Sequence, residues 1–396
     1  MDFDFTAEQE AFRKEVRQWL ETNLPDDLRG RAFAASRADH EEVRKLRAWQ
    51  KTMFEAGYIG IDWPREFGGR GASLVDVIIL YQEMARAESP QIVNRGGVSM
   101  LGPTLMKHGT PAQQTRFLSK ILSADEMWCQ GFSEPNAGSD LANLQTRAVL
   151  DGDHFVINGQ KVWTSMGHVA DWCFVLVRTD PTAAKHKSIS FLLMDMKSPG
   201  VSLRPLRQIT GEAEFNEMFL DNVRVPRENL VGKLNEGWIV ANTTLFHERN
   251  ALGSTTTTQV LFNRLKSLAT SVMRNGRPLT QDPVFRQRLA DLEIRVEAMK
   301  YHMLRQLSDS IHGRNPGIAQ LVNKLVGTEL NHELSTAAME VMGDYSMLAR
   351  GDEFVVDNGF WPYEWMFSLG LVIGGGTSHI QKNIIAERGL KMPKGR

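Results

Sequence analysis

Helical patterning gives way to β patterning at one stretch of the chain, Gln130-Gly131-Phe132-Ser133-Glu134-Pro135-Asn136-Ala137-Gly138-Ser139-Asp140. Upstream of it, Thr6-Ala7-Glu8-Gln9 fits a helix capping box. Phe12, Val16 and Leu20 then recur every four positions, as on one face of a helix. Backbone N–H groups and hydroxyls in a loop such as 130–140 can hold a polar ring edge or a phosphate. A loop between two domains has the same composition, so both interpretations stay open at this point.

The residues downstream of this stretch predict a compact β domain, because short β-rich runs are separated by turn signals. His154–Ile157 and Gln160–Trp163 flank Asn158-Gly159, a dipeptide that suits the tight turn of a hairpin. Further candidate strands are Trp172–Arg178, Ser188–Met196, Val201–Pro205 and Phe215–Val225.

Helical periodicity returns after Gly232. The predicted helical runs are about 237–273, 283–310, 317–342 and 377–388. An order of helices, then strands, then helices argues against a doubly wound sheet, in which strands and helices alternate. The predicted domains are therefore helical over 1–126, β over 127–232 and helical over 233–396, which is an α+β chain.

Composition and motifs exclude several classes of protein. The 46 basic and 47 acidic residues nearly cancel, so no overall field attracts nucleic acid or an anionic membrane. No apolar run reaches the length of a membrane span, and the acidic start at Met1 predicts no secretory signal. Cys129 and Cys173 are too few for a disulfide framework, so we expect a cytoplasmic protein. HExxH, CxxC, P-loop and strand-linked GxGxxG motifs are absent from the sequence.

Three further segments are candidates for chemistry, and each has an ordinary structural alternative. In Lys161–Gly167, Trp163 could stack on a planar cofactor while Ser165 bonds its edge, or Trp163 could be a core residue. Glu248-Arg249 could supply a catalytic base or be a solvated pair on a helix face. In Ile373–Gln381, three glycines allow a ligand to approach the backbone, or they form a loop between helices.

These segments, in this order, resemble the acyl-CoA dehydrogenase family over nearly the whole chain. The strongest matches are Ser133-Glu134-Pro135-Asn136-Ala137-Gly138-Ser139-Asp140, Ile157-Asn158-Gly159-Gln160-Lys161-Val162-Trp163-Thr164-Ser165 and Gly376-Thr377-Ser378-His379-Ile380-Gln381. The resemblance implies an FAD flavoprotein with an N-terminal helical domain, a middle β-barrel-like or sandwich domain and a C-terminal four-helix bundle.

The resemblance also implies a set of site residues. The expected contacts with FAD are Phe132, Ser133, Gly138, Ser139, Trp163, Ser165, Thr377 and His379. The expected contacts with the acyl substrate are Ser139, Arg249 and Gly375. Within the first set, Phe132 and Ser133 touch the flavin ring, Trp163 and Ser165 flank it, and Thr377 lies toward the adenine half.

The implied reaction is dehydrogenation of an acyl-CoA thioester. A glutamate takes the α-proton, the β-hydride goes to flavin N5, and the product is a trans-2-enoyl-CoA. The enolate-like oxygen needs preorganised donors, and burial should raise the pKa of the glutamate toward working pH. The reduced flavin is expected to pass its electrons to an electron-transfer flavoprotein.

The base is expected at an unusual place. Many members carry it just before the Gly-Thr-Ser of the last motif, where this chain has Gly375. A minority, including isovaleryl- and long-chain-type members, place it in a Glu-Arg pair on a bundle helix, as at Glu248-Arg249. Glu248 is therefore the expected base and Arg249 a positioning charge. The space at Gly375 favours a branched or ring-bearing acyl group.

A second departure concerns oligomerisation. Members usually complete a neighbour's FAD site with an Arg-x-x-Phe-Gly motif and a Gln-containing Gly-Gly turn. The matching positions here are Val272, Asn275-Gly276, Glu340 and Gly343-Asp344. An acidic Glu340 near a pyrophosphate is unfavourable, although Arg274 could substitute for the missing arginine, and His379 stands where Gln or Glu is usual. Either a heterotetramer with a paralogous subunit, known in steroid-degrading members, or a homotetramer with altered contacts would follow.

Two other functions remain open from the sequence. The same fold could serve an oxidase or a flavin monooxygenase, or this chain could be a weakly catalytic partner subunit. Gly375 favours the partner subunit, whereas Glu248 and the intact Trp163 segment favour an enzyme.

Overall fold

The structure, a computed structural model, describes residues 5–30, 40–252, 255–314 and 318–393. Its packing divides the chain into two compact units, Met1–His247 and Glu248–Arg396. The predicted order of helices, strands and helices is confirmed. The predicted boundaries near residues 126 and 232 remain predictions.

In the part of the chain that the structure describes, the first unit begins with five α-helices, and three of them start at capping boxes. The box at Thr6 and Gln9 is present as predicted, with the Gln9 N–H donating to Thr6 Oγ1 at 3.2 Å. Equivalent boxes start the third helix at Ser73 and the fifth at Thr110. The helices are α1 (Ala7–Asn23), α2 (His40–Glu55), α3 (Leu74–Arg86), α4 (Gly102–His108) and α5 (Pro111–Ser123).

A buried carboxylate joins α1 to α3. Glu83 accepts hydrogen bonds from Arg13, Arg17 and Arg86, at 2.8–3.2 Å. Burial alone would raise the pKa of Glu83, but the hydrogen bonds from the three guanidinium groups outweigh it and hold the pKa at about 2. Glu83 is thus ionised at neutral pH and fixes the two helices against each other.

The middle of the chain forms one mixed sheet. Along it the strand order is β6-β7-β3-β2-β4-β5-β8, and β1 lies beside β4 in parallel. The side chains of β4 and β5 are buried along almost their whole length, so these two strands form the centre of the core. The strands are β1 (Trp128–Gly131), β2 (Arg147–Asp151), β3 (His154–Lys161), β4 (Trp172–Arg178), β5 (Ile189–Asp195), β6 (Val201–Leu206), β7 (Phe215–Pro226) and β8 (Leu230–Val231).

The predicted hairpin at Asn158-Gly159 is wrong. Strand β3 runs straight through both residues, with only a register shift against β7, and the turn lies earlier, between β2 and β3 at Gly152. Gly159 serves a different purpose, because a Cβ there would lie 2.6 Å from Thr146 Oγ1. The glycine therefore lets β3 pass closely over Thr146.

The last part of the chain is helical. One helix, α6 (Gly237–Leu252), contains the division between the two units. The predicted run 237–273 corresponds to α6 and the next helix, and residues 253–254 between them lie outside the described residues. In the second unit α9 packs against three other long helices, which gives the expected bundle. These helices are α7 (Thr255–Ser271), α8 (Pro283–Ile311), α9 (Ile318–Met342), α10 (Phe360–Ile373) and, after a glycine turn, the short α11 (Ser378–Ile384). Within the described ranges, none of the helices is both long and apolar enough to cross a bilayer.

Candidate active site

The first motif is a loop held by backbone hydrogen bonds. Glu134 and Ala137 exchange both N–H···O bonds, at 3.1 and 3.0 Å, which closes the loop on itself. The Val162 N–H donates to Ser133 O at 2.9 Å, so the loop is tied to the residues that follow β3. Two predicted site segments, 132–139 and 161–165, are thereby brought together.

A buried ion pair underlies this connection. Lys161, fully buried at the end of β3, donates from Nζ to Glu134 Oε1 at 2.8 Å and to Phe132 O at 3.2 Å. Glu134 also accepts from the backbone N–H groups of Gln145 and Thr146, at 2.6 and 2.9 Å. The buried Glu134 carboxylate thus has three hydrogen-bond donors.

The pKa values of the pair follow from this environment. Burial raises the pKa of Glu134, but the Lys161 charge and the hydrogen bonds outweigh it, so the pKa lies below its ordinary value. Burial lowers the pKa of Lys161, and the Glu134 charge offsets part of this change. A neutral Lys161 would leave Glu134 as an uncompensated buried charge. The ionised pair is therefore the state that the geometry stabilises.

The loop leaves some of its predicted contacts exposed and buries another. The Phe132 ring packs in the core against Phe174 and Phe191, so only its backbone can reach a ligand. Ser133 is half-buried, whereas Gly138 and Ser139 are exposed. A Cβ at Gly138 would meet no atom of the chain within 4 Å, so packing within the chain does not account for a glycine there.

In the Trp163–Ser165 segment, exposed and buried side chains alternate, as expected of a segment that borders a ligand site. Trp163 is 58% exposed, Ser165 is exposed, and Thr164 between them is fully buried. The Thr164 N–H donates to Asn216 O at 3.0 Å, which fixes the segment on the start of β7. Trp163 has a φ of +60°, a rare conformation for a large residue. The structure thus excludes the core interpretation for Trp163.

The third candidate segment lies on α6. Glu248 is half-buried, and the side chain of Arg249 lies outside the described residues. Earlier on the same helix, Thr244 and Thr104 share a hydrogen bond of 2.9 Å, which fixes α6 against α4.

The fourth segment is a turn between α10 and α11. Gly375 and Gly376 have φ values of +63° and +93°, which favour glycine. Thr377 Oγ1 caps α11 by accepting from the Ile380 N–H, and His379 is exposed on the first turn of that helix.

Two buried side chains hold the carbonyls of this turn. Lys324 Nζ donates to Val372 O at 3.0 Å and to Gly376 O at 2.8 Å. Gln381 Nε2 donates to Gly375 O at 2.8 Å. The negative charges of Glu329 and, to a smaller extent, Glu248 offset part of the lowering of the Lys324 pKa by burial, so Glu248 interacts electrostatically with the lysine that holds the turn.

Sequence reasoning missed the residues that hold the two motifs in place. Glu134 and Lys161 stand inside the quoted motifs, but nothing in their spacing shows that they pair. Lys324 gives a clearer signal, because it is a single cation in an apolar run of a predicted helix, where a buried charge needs partners.

The residues of the first unit fit a flat, partly polar ring. An exposed indole held in a fixed segment, a hydroxyl two residues later and open space at Gly138 supply a stacking face, a hydrogen-bond donor and room for close approach. A planar aromatic cofactor with polar edges, such as a flavin, is a group that these features can accommodate. No group of metal-ligating side chains occurs among the residues that the structure covers.

Comparison with known proteins finds matches to a single family along nearly the whole chain. Three family models, the N-terminal, middle and C-terminal domains of acyl-CoA dehydrogenase, match residues 6–125, 129–223 and 235–390. Two relatives called Acyl-CoA dehydrogenase IpdE1, from Mycolicibacterium smegmatis and Mycobacterium tuberculosis, are each 41% identical. The alignments cover 98% and 97% of this chain, and 98% of each relative.

Solved structures agree with these matches. The ChsE4-ChsE5 complex from Mycobacterium tuberculosis has a TM-score of 0.86 and 32% identity, and the alignment covers 100% of both chains. A structure described as the Tcur3481-Tcur3483 steroid ACAD has a TM-score of 0.87 and 30% identity, again over 100% of both chains.

The Glu134–Lys161 pair can be tested by removing one charge. E134Q leaves the buried Lys161 ammonium without a counter-charge, and we expect it to lower the free energy of unfolding by about 3 kcal/mol and to loosen FAD retention. Urea unfolding followed by tryptophan fluorescence, with flavin absorbance of the purified protein, measures both effects. The control is E134Q/K161M, which removes both charges and should recover part of the loss. A loss below about 1 kcal/mol in E134Q would contradict the role given to the pair.

Proposed function

The chain belongs to the acyl-CoA dehydrogenase family and is an oxidoreductase that dehydrogenates acyl-CoA thioesters, and from this premise we propose that Glu248 is its base. We propose further that the acyl group is bulky or branched.

The observation that carries the proposal is that the glycine turn lacks a carboxylate at Gly375, while Glu248 on α6 acts electrostatically on a lysine that is bonded to this turn. Gly375 leaves that turn without the carboxylate that many members carry there. Glu248 lies half-buried on α6, and its charge acts on the same Lys324 ammonium that holds Gly376 O. A carboxylate in this neighbourhood can take the α-proton of a thioester bound against the turn.

The family generally binds FAD, and we propose that this chain binds it. Trp163 and Ser165 would hold the ring, with Ser133, Gly138, Ser139 and the Phe132 backbone beside it. FAD, when bound, accepts the hydride that leaves the β-carbon. Thr377 and His379 are the proposed contacts in the last motif, with Thr377 toward the adenine half. Reoxidation is assigned to an electron-transfer flavoprotein.

Three side chains have proposed roles in proton removal and substrate binding. The Glu248 carboxylate receives the α-proton on one of its oxygens, so it must be ionised when the substrate arrives. Arg249, the next residue, is the proposed positioning charge. Ser139 is proposed to line the acyl site at its exposed loop position.

The proposed acyl group follows from the space at the turn. Gly375 contributes no side chain, so a substituent near the α- or β-carbon can be accommodated there. A related protein of 30% identity is described as a steroid ACAD, which supports a ring-bearing acyl group. The proposed compartment is the cytoplasm, since Cys129 and Cys173 are buried as free thiols.

The base assignment predicts a specific loss. E248Q should abolish the bleaching of the flavin when acyl-CoA is added under anaerobic conditions, because an amide accepts no proton at neutral pH. Stopped-flow absorbance of the FAD-loaded protein is the measurement. E333Q is the matched control, because it removes another half-buried glutamate of the second unit, one that pairs with Arg295, and it should bleach at close to the wild-type rate. Undiminished bleaching in E248Q would show that the base lies elsewhere.

The substrate class is tested separately with the unaltered enzyme. A panel of acyl-CoAs should show faster bleaching with ring-bearing or branched acyl groups than with butyryl-CoA. If straight short-chain thioesters react fastest, the proposal of a bulky acyl group is wrong even if Glu248 is the base.

We propose that the chain works in a tetramer, either with itself or with a paralogous subunit. The unusual residues Val272, Asn275 and Glu340 support altered subunit contacts, and two similar proteins are described by paired subunit names. Glu340 forms an ion pair with Arg288 of α8, which compensates its charge locally. Side chains on α8 such as Val284 and Ile294 are apolar and exposed, as in a face that another chain covers.

Light scattering of the chain expressed alone tests the assembly. Four chains per particle would identify a homotetramer, and a smaller particle that reaches the tetramer only with a paralogous subunit would identify a heterotetramer. A stable monomer that retains FAD and full activity would contradict both forms.

A further inference from the structure

Lys324 occupies an unusual position in the bundle. It lies in the first half of α9, is 1% exposed, and donates to a carbonyl in the last turn of α10 and to one just before α11. One ammonium group thus spans the glycine turn from its start at Val372 to its end at Gly376.

The charge on Lys324 is set by few groups. Burial lowers the pKa of the Lys324 ammonium to about 8, and the negative charges of Glu329 and Glu248 offset part of the effect. Glu329 lies on the same helix and Glu248 on α6, while the backbone carbonyls come from Val372 in the last turn of α10 and from Gly376 just before α11. At neutral pH most molecules therefore carry a buried positive charge within electrostatic range of Glu248.

We propose that Lys324 is a positioning residue of the reaction, which fixes the glycine turn against the acyl group and holds Glu248 in its ionised, proton-accepting form. This inference rests on the proposed role of Glu248 as the base.

Holding the turn does not by itself require a charge. Gln381 holds the neighbouring carbonyl of Gly375 with a neutral amide that is equally buried. A lysine must be desolvated at far greater cost than an amide, so a purely structural role leaves the charge of Lys324 unexplained. Two carboxylates act on this charge, Glu329 of the same helix and, to a smaller extent, Glu248 of α6. An opposite charge nearby stabilises the ionised form of a carboxylate, and for Glu248 that is the form a base requires.

The test compares K324M with Q381M in the FAD-loaded enzyme. Each variant removes hydrogen bonds from the turn, but only K324M removes a charge. We expect the acidic limb of the pH profile for flavin bleaching to move up by about one pH unit in K324M, since the pKa of Glu248 rises when its counter-charge is lost. At a pH well below the acidic limbs of both wild type and K324M, this shift makes K324M about tenfold slower than wild type. Q381M should slow the reaction at every pH without moving the limb, and K324R should keep the wild-type limb.

A second measurement needs no catalysis. The pKa of Lys324 is about 8 in the folded protein and ordinarily 10.5, so between these values the unfolded chain binds more protons and the folded state gains stability as the pH rises. The unfolding temperature of the wild type should therefore rise relative to that of K324M from about pH 8 toward pH 10.

The outcomes separate this inference from the proposed function. If E248Q still bleaches, the base assignment fails and this inference fails with it. If E248Q is inactive but K324M and Q381M have the same limb as wild type, Glu248 remains the base and only the role of Lys324 is overturned. Should K324M not fold, K324Q, which retains a donor for the turn, is judged by the same limb.

Discussion

The buried ion pair between Lys161 and Glu134 is the constraint on which the first unit's site depends. A charge that is removed from water is tolerated only when its partners are complete, and Glu134 meets this condition with one ammonium and two backbone N–H groups. Meeting it fixes the 132–140 loop on the end of β3. Gly138 and Ser139, on the outer side of that loop, are exposed and remain accessible to a ligand.

The second unit uses the same physical device on another backbone segment. Lys324 is buried, donates to main-chain carbonyls and orients a turn whose residues have little side chain of their own. Glycine turns have many accessible conformations, so such a turn needs external donors to hold one of them. In both units the hydrogen bonds of a buried lysine, Lys161 or Lys324, supply that restraint. The predicted contacts Ser139 and Gly375 therefore belong to segments whose backbone conformation is fixed by a buried lysine.

The sequence predicted the elements whose formation depends on residues close together in the chain, such as helix caps and long helices. The capping box at Thr6 and the long runs of α8 and α9 follow from adjacent residues, and they are present. The hairpin at Asn158-Gly159 failed, because a turn dipeptide was read without the long partner strand β7 that holds β3 straight. Helix α10 was not predicted, since its residues are apolar around the whole helix and show no period. The pairing of Lys161 with Glu134 depends on a distance across the fold, which spacing along the chain does not contain.

The proposed move of the base from the turn to α6 has a structural consequence. At Gly375 the backbone is left-handed, with a φ of +63°, where any residue other than glycine is strained by about 1 kcal/mol or more. A base in the turn must accept that strain or reshape the turn. A base on α6 leaves the turn free to remain glycine, and in the proposed function the space at Gly375 accommodates the acyl group. Recognition of a bulky substrate and proton removal are then carried by different segments, and Lys324, bonded to one and charged toward the other, is the group that keeps them in register.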